Sequence, residues 1–341
     1  MDRGTNPNPA AASSYTTERH RPANEGWLEL EITHQSALDA ALKEALGRIE
    51  TRLGEAFDPL PDIRLVGRGD ALADVRWTEA RAVIQVHPSC IDAIRSLWSD
   101  ALQSRILIDA KGARITDVEG RPVDEAWLVH LSLTWLVLHE LVHLRLGHLE
   151  ILQVASLAEC DVDTQERSPP EEHWSNKLNQ EELTLMRPCL ELQADNDATE
   201  IMFGVYAESE WTRFRIEAAA IFVVMAVMEN AEIARKNSVR TYPRVATRFF
   251  TLFAQLFQYW LYADSWLEAK DGESFVRNAR MPSGKDFERY MKFVLALTVS
   301  DVIHIALWPK PGRFLTISGR GRRSFRIFSR SSMPTISLRR T

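Results

Sequence analysis

The sequence predicts an α+β protein that is mostly helical. A small N-terminal strand region packs on one central buried helix, and the C-terminal half is helical. Three patterns carry this reading. Short alternating runs at 62–67, 73–77 and 81–87 have the period-2 pattern of strands. Residues 36–57 carry Leu38, Ala41, Leu42, Leu46, Ile49 and Leu53 at helical spacing. Residues 123–147 are apolar on nearly every face, through Leu133, Trp135, Leu136, Val137, Leu138, Leu141, Val142, Leu144 and Leu146. A helix apolar all round belongs in a core.

Residues 1–25 are polar and rich in Pro, Asn, Ser and Thr, which predicts disorder. A short strand is expected at 27–33. The helix over 36–57 is ended by Pro59 and Pro61. After the three strands comes a helix at 89–103, then a hairpin over 105–117 with Lys111-Gly112 in its turn. The central helix starts near Val123 and stops at Gly147. Residues 159–181 are acidic and polar, contain Pro169-Pro170, and read as a loop. Helices then fit 188–207, 209–236, 243–267 and 286–307. Residues 26–309 form one domain, with an α/β part at 26–122 and a helical part at 123–309.

The segment 310–341 is a basic, flexible tail. It holds nine Lys plus Arg and no acid, leaving −15 for the remainder of a chain whose net charge is −6. Such a tail suits a nucleic acid or an acidic partner, but no nucleic-acid module accompanies it and a solvated tail is the simpler expectation.

Composition is that of an ordinary soluble globular protein, 45% hydrophobic and 26% charged over 341 residues. The three cysteines, Cys90, Cys160 and Cys189, have no CxxC spacing. An odd count without that spacing argues against a disulfide scaffold and fits a reducing cytoplasm. Cys189 is expected in the core. No secretory apolar region is found near the start. No membrane span is expected: Ala218 to Met228 is too short, 249–262 contains Gln255 and Gln258, and 293–308 is broken by Asp301 and His304.

The chemistry concentrates in two segments. Residues 139–143 read His-Glu-Leu-Val-His, and 191–195 read Glu-Leu-Gln-Ala-Asp. On a helix, His139 and His143 at i and i+4 project from one face and can share one metal. Glu140, beside the first ligand, can take a proton from a metal-activated water. Glu191 and Asp195 repeat the i, i+4 spacing with acids. Glu191 can supply a third ligand, and Asp195 can orient an imidazole from behind. A His-His-Glu set leaves a fourth tetrahedral position open, as catalytic zinc requires. His148 lies about 140° further round a continuing helix than His143, so it is expected to be a helix-end residue after Gly147. Glu200 is the weaker alternative for the third ligand.

These residues resemble the gluzincins, zinc metallopeptidases with an HExxH helix and a Glu ligand on a later helix. The closest pattern is HExxHxxxGH followed by ExxAD, matched here by His139, Glu140, His143, Gly147, His148, Glu191, Ala194 and Asp195. That branch includes the HtpX-type and CAAX-prenyl-type proteases. The phage-exclusion Lit peptidases are a second resemblance. The resemblance implies zinc on His139, His143 and Glu191, Glu140 as general base, and Asp195 supporting a zinc-bound His. It also implies that the strand at 81–87 lines the cleft and pairs with extended substrate. Downstream, Thr241-Tyr242-Pro243 and Arg248 stand where relatives carry His-Pro and a later Arg. Tyr242 is a candidate oxyanion donor, with a structural turn role as its alternative.

The expected function is therefore a cytoplasmic zinc endopeptidase acting on protein or peptide substrates. The alternative is a low-turnover regulatory or binding module, linked to phage defence or a toxin. The intact ligand set and the intact Glu140 favour the enzyme.

Overall fold

The computed structural model describes residues 23–67, 72–78, 81–104, 106–109, 111–116, 120, 122–151, 180–204, 211–234, 247–256 and 284–307. Its elements in chain order are α1 (Ala23–Leu53), β1 (Asp62–Leu65), β2 (Ala73–Thr78), β3 (Arg81–Val86), α2 (Pro88–Gln103), α3 (Glu125–Arg145), α4 (Gln180–Phe203) and α5 (Trp211–Ala234). They are followed by α6 (247–256), α7 (Gly284–Tyr290), a π-helical segment (Met291–Leu295) and α8 (Ala296–Leu307). The architecture is mostly helical, with one small N-terminal sheet, as the sequence predicts.

Helix α3 is the axis of the fold. It packs against α1, α2, α4 and α5, and against β2 and β3. Residues Leu131 to His143 are buried without a break. Asp124 caps its start, the carboxylate accepting from Trp127 N at 2.8 Å. This satisfies one of the amides that no helical carbonyl can reach. Its end is set by Gly147, whose φ of +68° an L side chain rarely adopts. Among the described residues, α3 alone is long and apolar enough to cross a membrane. The sequence reading overlooked it on that criterion, yet as a buried core helix it meets its hydrophobic partners inside the protein.

Three hydrogen bonds fix how the helices sit on this axis. Trp98 Nε1 on α2 donates to Ser132 Oγ at 2.9 Å, and Ser132 Oγ donates to the Ala220 carbonyl on α5 at 3.2 Å. Trp135 Nε1 donates to Thr199 Oγ1 at 3.2 Å. Trp135 is one turn before His139, and Thr199 is one turn after Asp195, so this bond sets the register of α4 on α3 beside the candidate site. Trp135→Phe should cost about 1–2 kcal/mol, because the Thr199 hydroxyl loses its buried donor. A urea midpoint unchanged from wild type would contradict this.

The sheet order is β1-β3-β2, with β1 parallel and β2 antiparallel to β3. β3 therefore has neighbours on both sides. That leaves β3 no free edge for the substrate pairing expected of 81–87, whereas the outer edge of β2, beside α3, pairs with no strand among the described residues.

Other boundaries also move. Residues 27–33 are helical, and α1 reaches back to Ala23, into the stretch expected to be disordered. Leu30 and Ile32 are exposed, so their alternation does not mark a half-buried strand. Extending an existing helix adds one hydrogen bond per residue without a new nucleus. Helix α4 starts at Gln180, with Pro188 inside it. Proline usually marks a first turn, which is why the pattern suggested a start at 188. The 105–117 hairpin is reduced to an isolated bridge, Ile108 to Arg114, around Gly112 at φ +81°. The expected loop at 159–181 lies outside the described residues except for its last two positions, which begin α4. The tail at 310–341 is wholly outside them.

Candidate active site

Helix α3 delivers His139, Glu140 and His143, and α4 delivers Glu191 and Asp195. All five are buried. One ligand atom each from His139, His143 and Glu191 lies within 4.8 Å of the other two. The two imidazoles face each other with Nε2 atoms 3.1 Å apart. Glu191 Oε2 is 3.3 Å from His139 Nε2 and 3.7 Å from His143 Nε2. A tetrahedral zinc with arms of about 2.0–2.1 Å holds its ligand atoms roughly 3.3–3.4 Å apart. The three observed separations, 3.1, 3.3 and 3.7 Å, straddle this value. Among the described residues Glu191 Oε2 is also buried without a hydrogen bond, although two ring nitrogens lie near it. A buried carboxylate oxygen left in that condition is costly unless a cation meets it.

Electrostatics point the same way. Glu140, Glu191 and Asp195 crowd one buried region, with Arg248 paired to Asp195. Burial works against charge on His139, yet its contacts with Asp195 and Glu191 outweigh this and hold the imidazole pKa up at about 10. Burial would also raise Glu191, but His139 and His143 pull its carboxyl far below the usual range. For Glu140 burial prevails and the carboxyl is raised, with Glu191 adding to the effect against His139 and His143. The pocket favours positive charge, as a divalent cation would supply. Glu140 stands outside the ligand cluster, next in sequence to its first member and near enough for His139, His143 and Glu191 to act on its charge.

Each histidine has a partner behind it. His139 Nδ1 is 3.0 Å from Asp195 Oδ1. Asp195 is gripped from α6 by Arg248, whose Nε donates to Oδ2 at 2.6 Å and Nη2 to Oδ1 at 2.5 Å. Burial opposes the Asp195 charge, but Arg248 and His139 prevail and keep its carboxyl below the ordinary range. His143 Nδ1 is 2.9 Å from His148 Nδ1.

The sequence-predicted residues His139, Glu140, His143, Glu191 and Asp195 are thus brought together. Tyr242, the oxyanion candidate, lies outside the described residues. Glu200 points elsewhere and pairs with Arg52 at 2.8 Å. Cys189 is exposed rather than core, while Cys90 is fully buried, its thiol pushed up to about 12 by burial and by nearby Glu140. Sequence reasoning noted Arg248 without a role. An arginine among apolar helical positions, such as Arg248 before Phe249 and Phe250, was the signal available.

Two cavities lie apart from the ligand cluster. A groove of about 1060 Å³ runs between α1, His130 and the C-terminal end of α4, and its Arg48 and Arg52 are engaged with Glu44, Glu217 and Glu200. A pocket of about 280 Å³ adjoins the C-terminal end of α3 and strand β2, lined by Phe57, Trp77 and Leu144 and by the charged Glu55, Asp58 and Arg145.

A family model described as Peptidase U49, a metallopeptidase family, matches residues 119–259. That span includes His139, Glu140, His143, Glu191, Asp195 and Arg248. The similarity supports a peptidase, and the His-His-Glu cluster is a candidate metal site within it. No curated protein and no solved structure gives a significant match to the chain.

Proposed function

We propose that this chain is a zinc-dependent endopeptidase in which His139, His143 and Glu191 hold the metal and Glu140 is the general base. The carrying observation is the buried convergence of three ligand atoms, one of them an unsatisfied carboxylate oxygen, beside a separate carboxylate. A Glu ligand arriving from a second helix supports the gluzincin type, which covers both resemblances noted in the sequence. Zinc in this position supplies Lewis acidity, polarising a peptide carbonyl and acidifying a water. Glu140 accepts the proton of the attacking water and returns it to the leaving amine. Asp195, backed by Arg248, holds the His139 ring in orientation. The outer edge of β2, unpaired among the described residues, supports binding of an extended peptide by added strand pairing. Cys90 and Cys189, both free, are in keeping with action in a reducing cytoplasm. The intact and buried Glu140 favours turnover over a binding module.

Elemental analysis of metal-replete protein tests the site. The expected result is about one zinc per wild-type chain, lost in Glu191→Ala. Zinc retained by that variant would reject Glu191 as a ligand, and none in the wild type would reject the metallopeptidase reading.

A further inference from the structure

We propose that His148 is a positioning residue that accepts the Nδ1 proton of His143 and so directs the His143 Nε2 lone pair into the metal site. The proposal rests on the metal-site reading above and adds a residue that is not itself a ligand. His148 is buried, and its ring lies against His143 with centroids 4.9 Å apart at an interplanar angle of 73°. The two Nδ1 atoms are 2.9 Å apart, so one proton lies between them. Its owner follows from the other side of His143. Nε2 of that ring is 3.1 Å from His139 Nε2 and 3.7 Å from Glu191 Oε2, inside the ligand cluster. A neutral imidazole that ligates through Nε2 carries its proton on Nδ1. His143 is therefore the donor, and His148 Nδ1 is the bare acceptor. Gln193 on α4 lies near enough to the same His148 ring to influence it. With Nδ1 occupied by His143, the His148 proton belongs on Nε2.

The backbone explains how a residue five positions after His143 reaches it. On an uninterrupted helix His148 would face away by about 140°. Gly147 breaks the helix at φ +68°, after Gly147 N donates to the Leu144 carbonyl at 3.2 Å. The chain turns back and restarts, with Ile151 N donating to the Gly147 carbonyl. That return puts His148 behind His143, not on the far side of α3. Metal-bound histidines commonly donate to a carboxylate or a backbone carbonyl. Here the two ligands differ, since His139 has the anionic Asp195 and His143 has a neutral imidazole.

The test uses the full chain, stripped of metal and titrated with Co(II) and Zn(II) against a chromophoric chelator. His148→Leu removes the acceptor, and His148→Asn keeps an oxygen near the Nδ1 position. The expected result is a roughly 10–100-fold loss of affinity in His148→Leu, with an altered Co(II) visible spectrum. His148→Asn should recover most of the affinity. Equal affinity in wild type and His148→Leu overturns the positioning role alone, as does failure of Asn to rescue in a folded variant. If wild type takes up neither ion, the metal-site reading fails and this proposal falls with it. Imidazole nitrogen NMR of zinc-loaded wild type needs no variant: protonated Nδ1 on His143 and protonated Nε2 on His148 are expected. A proton on His148 Nδ1 would reverse donor and acceptor and overturn the assignment.

Discussion

Glu140→Gln is expected to bind zinc as wild type does and to lose hydrolysis by about 10²–10⁴-fold or more. The carboxylate is outside the ligand cluster, so its loss leaves His139, His143 and Glu191 intact. Glutamine has nearly the same shape, so packing at this buried position is preserved. The amide has no basic oxygen of comparable strength, so neither water activation nor proton return to the leaving amine can proceed at the normal rate. Relief of a buried acid also makes the variant at least as stable as wild type, since burial already disfavours charge on Glu140. The measurement is cleavage of a peptide library followed by mass spectrometry, with zinc content determined on the same samples. Turnover equal to wild type in the zinc-loaded variant would remove Glu140 from the mechanism.

Arg248→Met should produce the largest stability loss, about 3–5 kcal/mol in the metal-free protein. Arg248 and Asp195 are both almost wholly inaccessible, with side chains 1% and 3% exposed, and the pair is bidentate. Removing the guanidinium strands a buried carboxylate beside His139. The pH dependence follows. The folded Asp195 pKa is depressed, so its contribution is present above the unfolded carboxylate pKa and is lost as pH falls through the folded value. Without Arg248 that depression shrinks, and the acid-side loss of stability begins at higher pH. Asp195→Leu combined with Arg248→Met should recover part of the loss, because no charge is then left without its partner. Urea unfolding of the single and double variants gives the coupling. A single-variant loss under about 1 kcal/mol would mean the pair is as weak as an exposed one.

Much of the site was legible because it is built on helical repetition. The i, i+4 spacing of His139 with His143, and of Glu191 with Asp195, is a local property that holds wherever the helix lies. The apolar surround of α3 likewise signalled burial before any partner was known. The misreadings have local causes too. Alternation at 27–33 imitates a strand, but those residues continue α1. Pro188 imitates a helix start, but it lies inside α4. His148 was expected as a helix-end residue after Gly147, and the left-handed turn there brings its Nδ1 to 2.9 Å from His143 Nδ1.

By itself the sequence determined the two helix-borne pairs, His139 with His143 and Glu191 with Asp195, the neighbouring Glu140 and the mostly helical class with its small sheet. These depend on contacts between residues a few positions apart. Only the tertiary structure decided that the two pairs converge, through the Trp135–Thr199 register of α4 on α3. It also decided that Arg248 neutralises Asp195, that β3 is the central strand between β1 and β2, and that His148 backs His143. Each of these depends on which elements pack together. Packing is settled by the fit of whole faces buried against one another, and no spacing within a single segment encodes it.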